Sequence, residues 1–134
     1  VYEHARYFPP AVGFDISIPL DRIAAAVQAL RTRIASAFPD AAWVVFGHLA
    51  DSNLHVNIMA EPAGPATRKT AESVVYGVVS DFGGSVSAEH GIGRAKVPFL
   101  HLSRSAPELG LMAEIKTMMD PKGILSPGRI FKAP

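Results

Sequence analysis

The sequence contains no cysteine among its 134 residues. This absence excludes a disulfide framework and thiolate metal ligands, so imidazole and carboxylate groups are the expected ligands of any bound metal. A chain without cysteine is compatible with a reducing compartment, and we expect a cytoplasmic protein.

The sequence also lacks a strong charge of either sign and lacks long apolar runs. Thirteen lysine and arginine residues stand against twelve aspartate and glutamate residues, which provides no basic footprint for nucleic acid or an anionic membrane. No apolar run approaches the roughly 20 residues that span a bilayer, and no signal-peptide pattern is present. With 49% hydrophobic residues, the chain is long enough for one domain with a core. Because it begins with Val1, we expect processing or a longer parent protein.

Hydrophobic periodicity predicts six main elements in the order β, α, β, β, α, β. They are a strand at 14–18, a helix at 20–38, strands at 43–48 and 54–60, a helix at 67–82 and a short strand at 85–89. This order predicts an α+β fold, a ferredoxin-like βαββαβ sandwich whose antiparallel sheet is covered on one face by two helices. We expect residues 1–13 to be a linker stub and residues 14–134 to be the domain.

A C-terminal helix is predicted after the sandwich, at 105–119. Ser105 and Glu108 have the spacing of a capping box. Leu111, Ile115 and Met118 form an apolar stripe on this helix. We expect its methionines, Met112, Met118 and Met119, to belong to the core rather than to a cofactor site.

Two histidines flank the predicted hairpin turn, LADSN at 49–53. His48 and His55 stand at the same end of the two hairpin strands, within reach of one ion. Because side chains alternate along a strand, His55 and Asn57 share a face that is opposite the apolar residues of 54–58. The sequence therefore predicts a sheet with one polar and one apolar face.

Glu89 ends the predicted fourth strand, which belongs at an edge of the sheet, and His90 follows it directly. Whether Glu89 reaches the hairpin histidines depends on the loop. If it does, two imidazoles and one carboxylate make a ligand set common for zinc and acceptable to manganese or iron. His90 would then stand beside the ion as a group able to transfer a proton near neutral pH. The alternative is that these side chains are only solvated or hydrogen-bonded.

Three segments together resemble a known family. They are GHLADSNLHVNI (47–58), GGSVSAEHGIGRAK (83–96) and MDPKGILSPGRIF (119–131). They are similar to the C-terminal domain of FAD-linked oxidases of the vanillyl-alcohol oxidase type, in the branch of D-lactate dehydrogenases, the glycolate oxidase flavin subunit and D-2-hydroxyglutarate dehydrogenases. The resemblance implies a substrate or cap domain that covers the FAD of a separate, preceding domain, and an enzyme that oxidises a D-2-hydroxy acid. A chain of this domain alone is expected to be inactive.

The resemblance also implies roles for particular side chains. Residues matching His48, His55 and Glu89 bind a divalent metal, usually zinc. The residue matching Asn57 holds the substrate, and the residue matching His90 is the catalytic base that takes the hydroxyl proton while hydride passes to FAD.

The resemblance also implies cofactor-binding residues, and the sequence differs from the family motifs at several positions. Asn53 and Ser126 are expected to lie near the flavin and contribute to cofactor binding. Ser126 stands where the family commonly has asparagine. Ala50 and Ser52 stand where glycine is usual or frequent. A basic residue that the family often has before the first strand's aspartate would fall near Gly13.

Two other functions are compatible with the residues. One is a stand-alone ferredoxin-like binding module whose polar sheet face docks a partner. The other is a small metal-dependent hydrolase that uses His48, His55 and Glu89 to activate water. A homo-oligomer is compatible with the sequence for each of these functions.

Overall fold

The computed structural model describes residues 11–131. Over this range the chain combines a three-stranded antiparallel sheet with helices, which confirms the predicted α+β class. Val12 and Gly13, assigned from sequence to the linker stub, belong to the first strand. Residues 1–10 of that stub lie outside the described residues.

The main elements agree with the periodicity to within two residues at each end. They are β1 (Val12–Ser17), α1 (Ile23–Ala37), β2 (Ala42–His48), β3 (Asn53–Met59), α2 (Pro65–Asp81) and α3 (Ala106–Met119). The one exception among them is the start of α1, where the first three residues of the predicted helix, Leu20–Arg22, form a 3₁₀ turn instead. A second 3₁₀ turn, Leu49–Asp51, lies within the hairpin, and a third at Val97–Leu102 was not predicted.

The sheet has the order β1-β3-β2, with both pairs antiparallel. β2 and β3 form the predicted hairpin, so β3 lies at the centre and β2 at one edge. The hairpin turn ends at Ser52, whose φ of 56° is left-handed. Glycine would adopt this conformation without a steric cost.

The predicted fourth strand at 85–89 does not form. Only Ser85 pairs with β1, through two hydrogen bonds with Ser17: Ser17 N donates to Ser85 O at 3.0 Å and Ser85 N to Ser17 O at 2.9 Å. Beyond this bridge the amides of Ala88, Glu89 and His90 donate to the carboxylate of Asp15 instead of to a neighbouring strand. A side chain has taken the donors that a ladder would use.

The core lies between the apolar face of the sheet and the helices α1 and α2. Fully buried residues come from all these elements: Ile16, Leu30, Ile34, Val56, Ile58, Val75, Val78 and Val79. The alternation of β3 places its apolar side chains inward, as expected. In the described part of the chain, no helix is both long and apolar enough to cross a membrane.

Helix α3 begins as predicted but packs differently. The Ser105 side chain accepts from the amide of Glu108, and the Glu108 carboxylate accepts from the Ser105 amide, completing the capping box. Its apolar stripe is not core: Leu111, Ile115 and Met118 are exposed, and no residue of α3 is buried. The expectation that the methionines of this helix belong to the core was wrong for Met118 and Met119, which are both 74% exposed, because α1 and α2 already cover the apolar face of the sheet.

Candidate metal and proton-transfer site

The strand register places the candidate residues on the sheet face opposite the helices, which we call the polar face. Directly opposed residues form three rows across β1, β3 and β2: Gly13–Asn57–Val44, Asp15–His55–Phe46 and Ser17–Asn53–His48. Side chains of opposed residues lie close enough to interact. The polar face therefore gathers residues from three strands around His55.

His55 lies at the centre of the middle row, between Asp15 and Phe46. The Phe46 ring packs on the imidazole with ring centroids 5.1 Å apart, and Phe46 is itself 52% exposed. This stacking restricts the imidazole while leaving the face open beside it. The side chain of His55 is 16% exposed, so it is held by its neighbours and only partly accessible.

Asp15 organises the segment that follows α2. Its carboxylate is 2% exposed and accepts hydrogen bonds from the amides of Ala88 (3.2 Å), Glu89 (3.1 Å) and His90 (2.9 Å). Three successive amides that point at one carboxylate fix the backbone of the 87–90 turn. The turn places the side chains of Glu89 and His90 next to the polar face.

Two side chains complete the environment of Asp15. The Ser87 hydroxyl lies 2.9 Å and the Lys96 ammonium 3.1 Å from Oδ2 of the carboxylate, and Lys96 also donates to Ser87 Oγ at 2.9 Å. Burial by itself would raise the pKa of Asp15, but the hydrogen bonds from the His90 amide, Ser87, the Glu89 amide and Lys96 outweigh it and hold the pKa well below its usual range. Asp15 is therefore a buried carboxylate anion.

Among the described residues, Asp15, His55 and Glu89 offer ligand atoms that all lie within 4.8 Å of one another. An ionised carboxylate has about four lone-pair sites. Those of Asp15 are already directed to three amides, a hydroxyl and an ammonium group. Asp15 is accordingly a poor ligand, and the free donor atoms of the cluster are those of His55 and Glu89.

The carboxylate of Glu89 lies close to the imidazoles of His55 and His90. Its Oε1 atom lies 3.3 Å from Nε2 of His55 and 3.5 Å from Nε2 of His90, and the two imidazole centroids are 5.7 Å apart. The side chain of Glu89 is 51% exposed and that of His90 64% exposed. An imidazole and a carboxylate are thus adjacent, and a second imidazole stands on the solvent side.

His48 lies on the same face as His55 but in the adjacent row. It is opposed to Asn53 and diagonal to His55, and it is exposed. Diagonal neighbours in a sheet are about 7–8 Å apart, within reach of long or aromatic side chains. The ligand set His48, His55 and Glu89 therefore stays a prediction, with the latter two in direct proximity.

Asn53 and Asn57 lie on either side of His55 along β3. Asn53 is 4% exposed, and its Oδ1 atom has no hydrogen-bond partner within the range 11–131. A buried amide oxygen without a partner is costly, so this atom is suited to accept from a bound group. Asn57 is half-buried opposite Gly13, where a Cβ would lie 3.0 Å from Asn57 Oδ1. The glycine leaves the space beside Asn57 open.

Ser126 belongs to the C-terminal segment after α3. It is exposed and has a φ of 48°, a left-handed conformation that asparagine tolerates better than serine does. This segment contacts the loop that follows the 87–90 turn, since Ile130 N donates to Gly93 O at 2.9 Å. Its proposed contact with a flavin stays a prediction.

The sequence reasoning missed the roles of Asp15 and Lys96. One signal was present: Asp15 is a charged residue at a polar position of the alternating segment FDISI, 14–18, so it belongs to the polar face of its strand, as His55 does. That signal gave no partner, because the register of β1 with β3 and the path of the 87–90 turn are both tertiary features.

The chain matches the family described as "FAD linked oxidases, C-terminal domain" over residues 4–130. Among curated relatives, it is 36% identical over 124 residues to a D-2-hydroxyglutarate dehydrogenase of Stutzerimonas stutzeri, with 89% of this chain and 27% of the relative covered. It is 41% identical over 121 residues to the mitochondrial D-2-hydroxyglutarate dehydrogenase of Rattus norvegicus, with 90% and 22% covered.

A third relative, the mitochondrial D-2-hydroxyglutarate dehydrogenase of Bos taurus, is 43% identical over 119 residues, with 88% of this chain and 21% of the relative covered. The chain thus spans about a quarter of the length of these relatives. Two of the three are named as mitochondrial, so a cytoplasmic location stays a prediction. Since the family match extends over nearly all of the sequence, the chain belongs to the family of FAD linked oxidase C-terminal domains.

Proposed function

We propose that this chain is the substrate- and metal-binding domain of a longer, FAD-dependent enzyme that oxidises a D-2-hydroxy acid to the 2-oxo acid. The observation that carries the proposal is the 3.3 Å approach of Glu89 to His55 on an open sheet face, with His90 3.5 Å from the same carboxylate oxygen. The names of the relatives favour this function over a stand-alone binding module or a hydrolase.

The donor set fits a divalent metal. Two imidazoles and a carboxylate suit zinc, with manganese and iron as alternatives, and leave room for a substrate. His55 and Glu89 would hold the ion, with His48 as the third ligand from the adjacent row. A bound metal would polarise the substrate hydroxyl and carboxylate, and FAD would accept the hydride.

His90 is proposed as the catalytic base that removes the hydroxyl proton. Its side chain is 64% exposed and lies beyond Glu89, so a substrate can reach it from the open side. Nδ1 of His90 lies 3.9 Å from Oδ2 of Asp15, so the imidazole stands between this buried carboxylate and the open side. Proton transfer by a positioned imidazole is most effective near neutral pH.

Asn57 is proposed to hold the substrate, and Asn53 and Ser126 to contribute to cofactor binding. The unpartnered Oδ1 atom of Asn53 supports a bound polar group in the row beside His55. Asn57 borders the space that Gly13 leaves open, which suits a substrate that enters over the middle of the sheet.

We further propose that the FAD-binding domain of the longer protein covers the polar face and the stripe of α3. Phe46 and Val44 are exposed on the polar face, and Leu111, Ile115 and Met118 on α3. Large exposed apolar patches commonly mark interfaces. A preceding domain placed against both surfaces would exclude water from the site.

Zinc titration of the chain by calorimetry tests the metal site. We compare the unmodified chain, the double variant His48→Ala, His55→Ala, and His101→Ala as a control, because His101 is exposed on the 3₁₀ turn Val97–Leu102. We expect the double variant to lose zinc binding and His101→Ala to retain it. Equal zinc affinity in all three proteins would remove the metal assignment.

The substrate class is tested with the complete gene product. D-2-hydroxy acids are screened with an artificial electron acceptor, with and without a chelator. We expect FAD to copurify and the chelator to suppress turnover. Absence of turnover with every D-2-hydroxy acid, in a protein that retains FAD, would contradict the proposed reaction.

A further inference from the structure

The 87–90 turn depends on one carboxylate. Its amides make no ladder hydrogen bonds beyond the bridge at Ser85, and those of Ala88, Glu89 and His90 all donate to Asp15. The donors lie over 70 residues away from Asp15 in sequence. The turn that presents Glu89 and His90 is therefore shaped by a distant side chain on β1.

Lys96 supplies the opposite charge at the same point. Its side chain is 15% exposed, and its ammonium group donates to Asp15 Oδ2, to the Asp15 carbonyl at 3.3 Å and to Ser87 Oγ. A buried carboxylate without a counter-charge is strongly unfavourable. The pairing keeps Asp15 ionised and directs its oxygens toward the turn.

The chain contains a second arrangement of the same kind away from His55. The Asp120 carboxylate, 7% exposed, accepts from Lys116 and from the amides of Ile124 (3.1 Å) and Leu125 (2.9 Å). The Asp120 carboxylate orders the turn after α3. Within residues 11–131, Asp120 does not belong to any group of side chains close enough to bind one metal ion. Asp120 therefore provides a matched control for Asp15.

We propose that Asp15 and Lys96 are positioning residues: they fix the 87–90 turn so that Glu89 meets His55 and His90 faces the open side, and Asp15 is not itself a metal ligand. The link to metal binding rests on the proposed function, whereas the fixing of the turn does not. Outer residues that orient metal ligands typically change metal affinity by 10- to 100-fold when replaced.

Amide hydrogen exchange measured by NMR tests the turn directly. We compare the unmodified chain with Asp15→Asn and with the control Asp120→Asn. In the unmodified chain we expect slow exchange at the amides of Ala88, Glu89 and His90. Asp15→Asn should accelerate all three by at least about 10-fold, because its amide nitrogen faces groups that are themselves donors. Asp120→Asn should leave these three amides unchanged.

Zinc affinity, measured on the same proteins, separates positioning from a general loss of stability. Asp15→Asn should weaken zinc binding by about 10- to 100-fold, and Asp120→Asn should not weaken it. Both variants lose a buried carboxylate, so a loss of stability by itself would affect both. If Asp15→Asn does not fold, Lys96→Met is used in its place, with the same expected acceleration of amide exchange.

Three results would overturn the inference. One is fast exchange of these amides in the unmodified chain, and another is unchanged exchange in both Asp15→Asn and Lys96→Met. The third is a loss of amide protection when zinc is added to the unmodified chain, which would mean that Asp15 leaves the turn to bind the metal. If the unmodified chain binds no zinc, the proposed metal site fails, and the exchange data still decide whether Asp15 fixes the turn.

Discussion

The Nε2 atom of His55 lies 3.3 Å from Oε1 of Glu89, which joins the central strand of the sheet to the turn after α2. Two independent features produce this contact. The strand register places His55 opposite Asp15, and the Asp15 carboxylate then holds the amide of Glu89 at 3.1 Å. The donor pair is thus built through Asp15, which carries neither of the two donor atoms.

Replacing the proposed base tests the chemistry in the complete enzyme. We expect His90→Ala to lower turnover by roughly two to four orders of magnitude, the usual effect of removing a positioned general base. His101→Ala, an exposed histidine outside the site, should leave turnover unchanged. Steady-state kinetics with the preferred hydroxy acid measure both, and a normal rate for His90→Ala would rule out His90 as the base.

Gly47 is expected to be essential for the hairpin beside the site. A Cβ at this position would lie 2.1 Å from the carbonyl oxygen of Asn53, so Gly47→Ala must displace backbone and should cost about 2 kcal/mol or more. Gly110 provides the control, because no heavy atom lies within 4 Å of its Cβ position. Gly110→Ala in helix α3 should be neutral or stabilise by up to about 1 kcal/mol. Urea unfolding compares the two, and equal stabilities would contradict the steric argument.

Ser52→Gly should stabilise the protein. Ser52 has a left-handed φ of 56°, a conformation that costs a residue with a Cβ roughly 1–2 kcal/mol. Glycine avoids this steric cost, and the additional conformational entropy that it loses on folding costs less, roughly 0.5–1 kcal/mol. We expect a gain of up to about 1 kcal/mol in the free energy of unfolding. Ser36→Gly, on helix α1, should have the opposite sign. A destabilised Ser52→Gly protein would show that the hydroxyl matters more than the backbone conformation.

Alkaline pH should destabilise the domain through Tyr76. Burial, followed by the negative charge of Glu72, raises the pKa of Tyr76 to about 12, whereas an unfolded tyrosine titrates near about 10. The unfolded state therefore loses its proton first, and the stabilising contribution present below pH 10 is lost as the pH rises toward 12. Unfolding free energies measured between about pH 9 and 11 should fall more steeply for the unmodified chain than for Tyr76→Phe. Identical slopes would contradict a raised pKa.

The exposed stripe of α3 should contribute little to the stability of this chain. Ile115 is 46% exposed, so Ile115→Ser should change the free energy of unfolding by less than about 0.5 kcal/mol. Leu30 is fully buried, and Leu30→Ala should cost about 2–5 kcal/mol. Chemical denaturation measures both. A cost for Ile115→Ser that approached the cost for Leu30→Ala would show that α3 packs on the domain.

Much of the fold could be predicted because its pattern is local. The period-two alternation of β3 and the helical spacing of α1 lie within short windows, and they determined both elements and the two faces of the sheet. The capping box of α3 follows in the same way from Ser105 and Glu108, three residues apart. The motifs around His55 and Glu89 are likewise local, and they indicate the family from the sequence alone.

The sequence by itself determined the elements, the polar face and the residue types able to bind a metal. Only the tertiary structure decided which of them meet. The segment at 85–89 has the pattern of a strand, but the Asp15 carboxylate takes its amides, and the stripe of α3 has the pattern of a core helix, but the apolar face of the sheet is already covered. Both outcomes depend on competition between distant groups for the same donors or the same surface, and no local window of sequence contains both competitors.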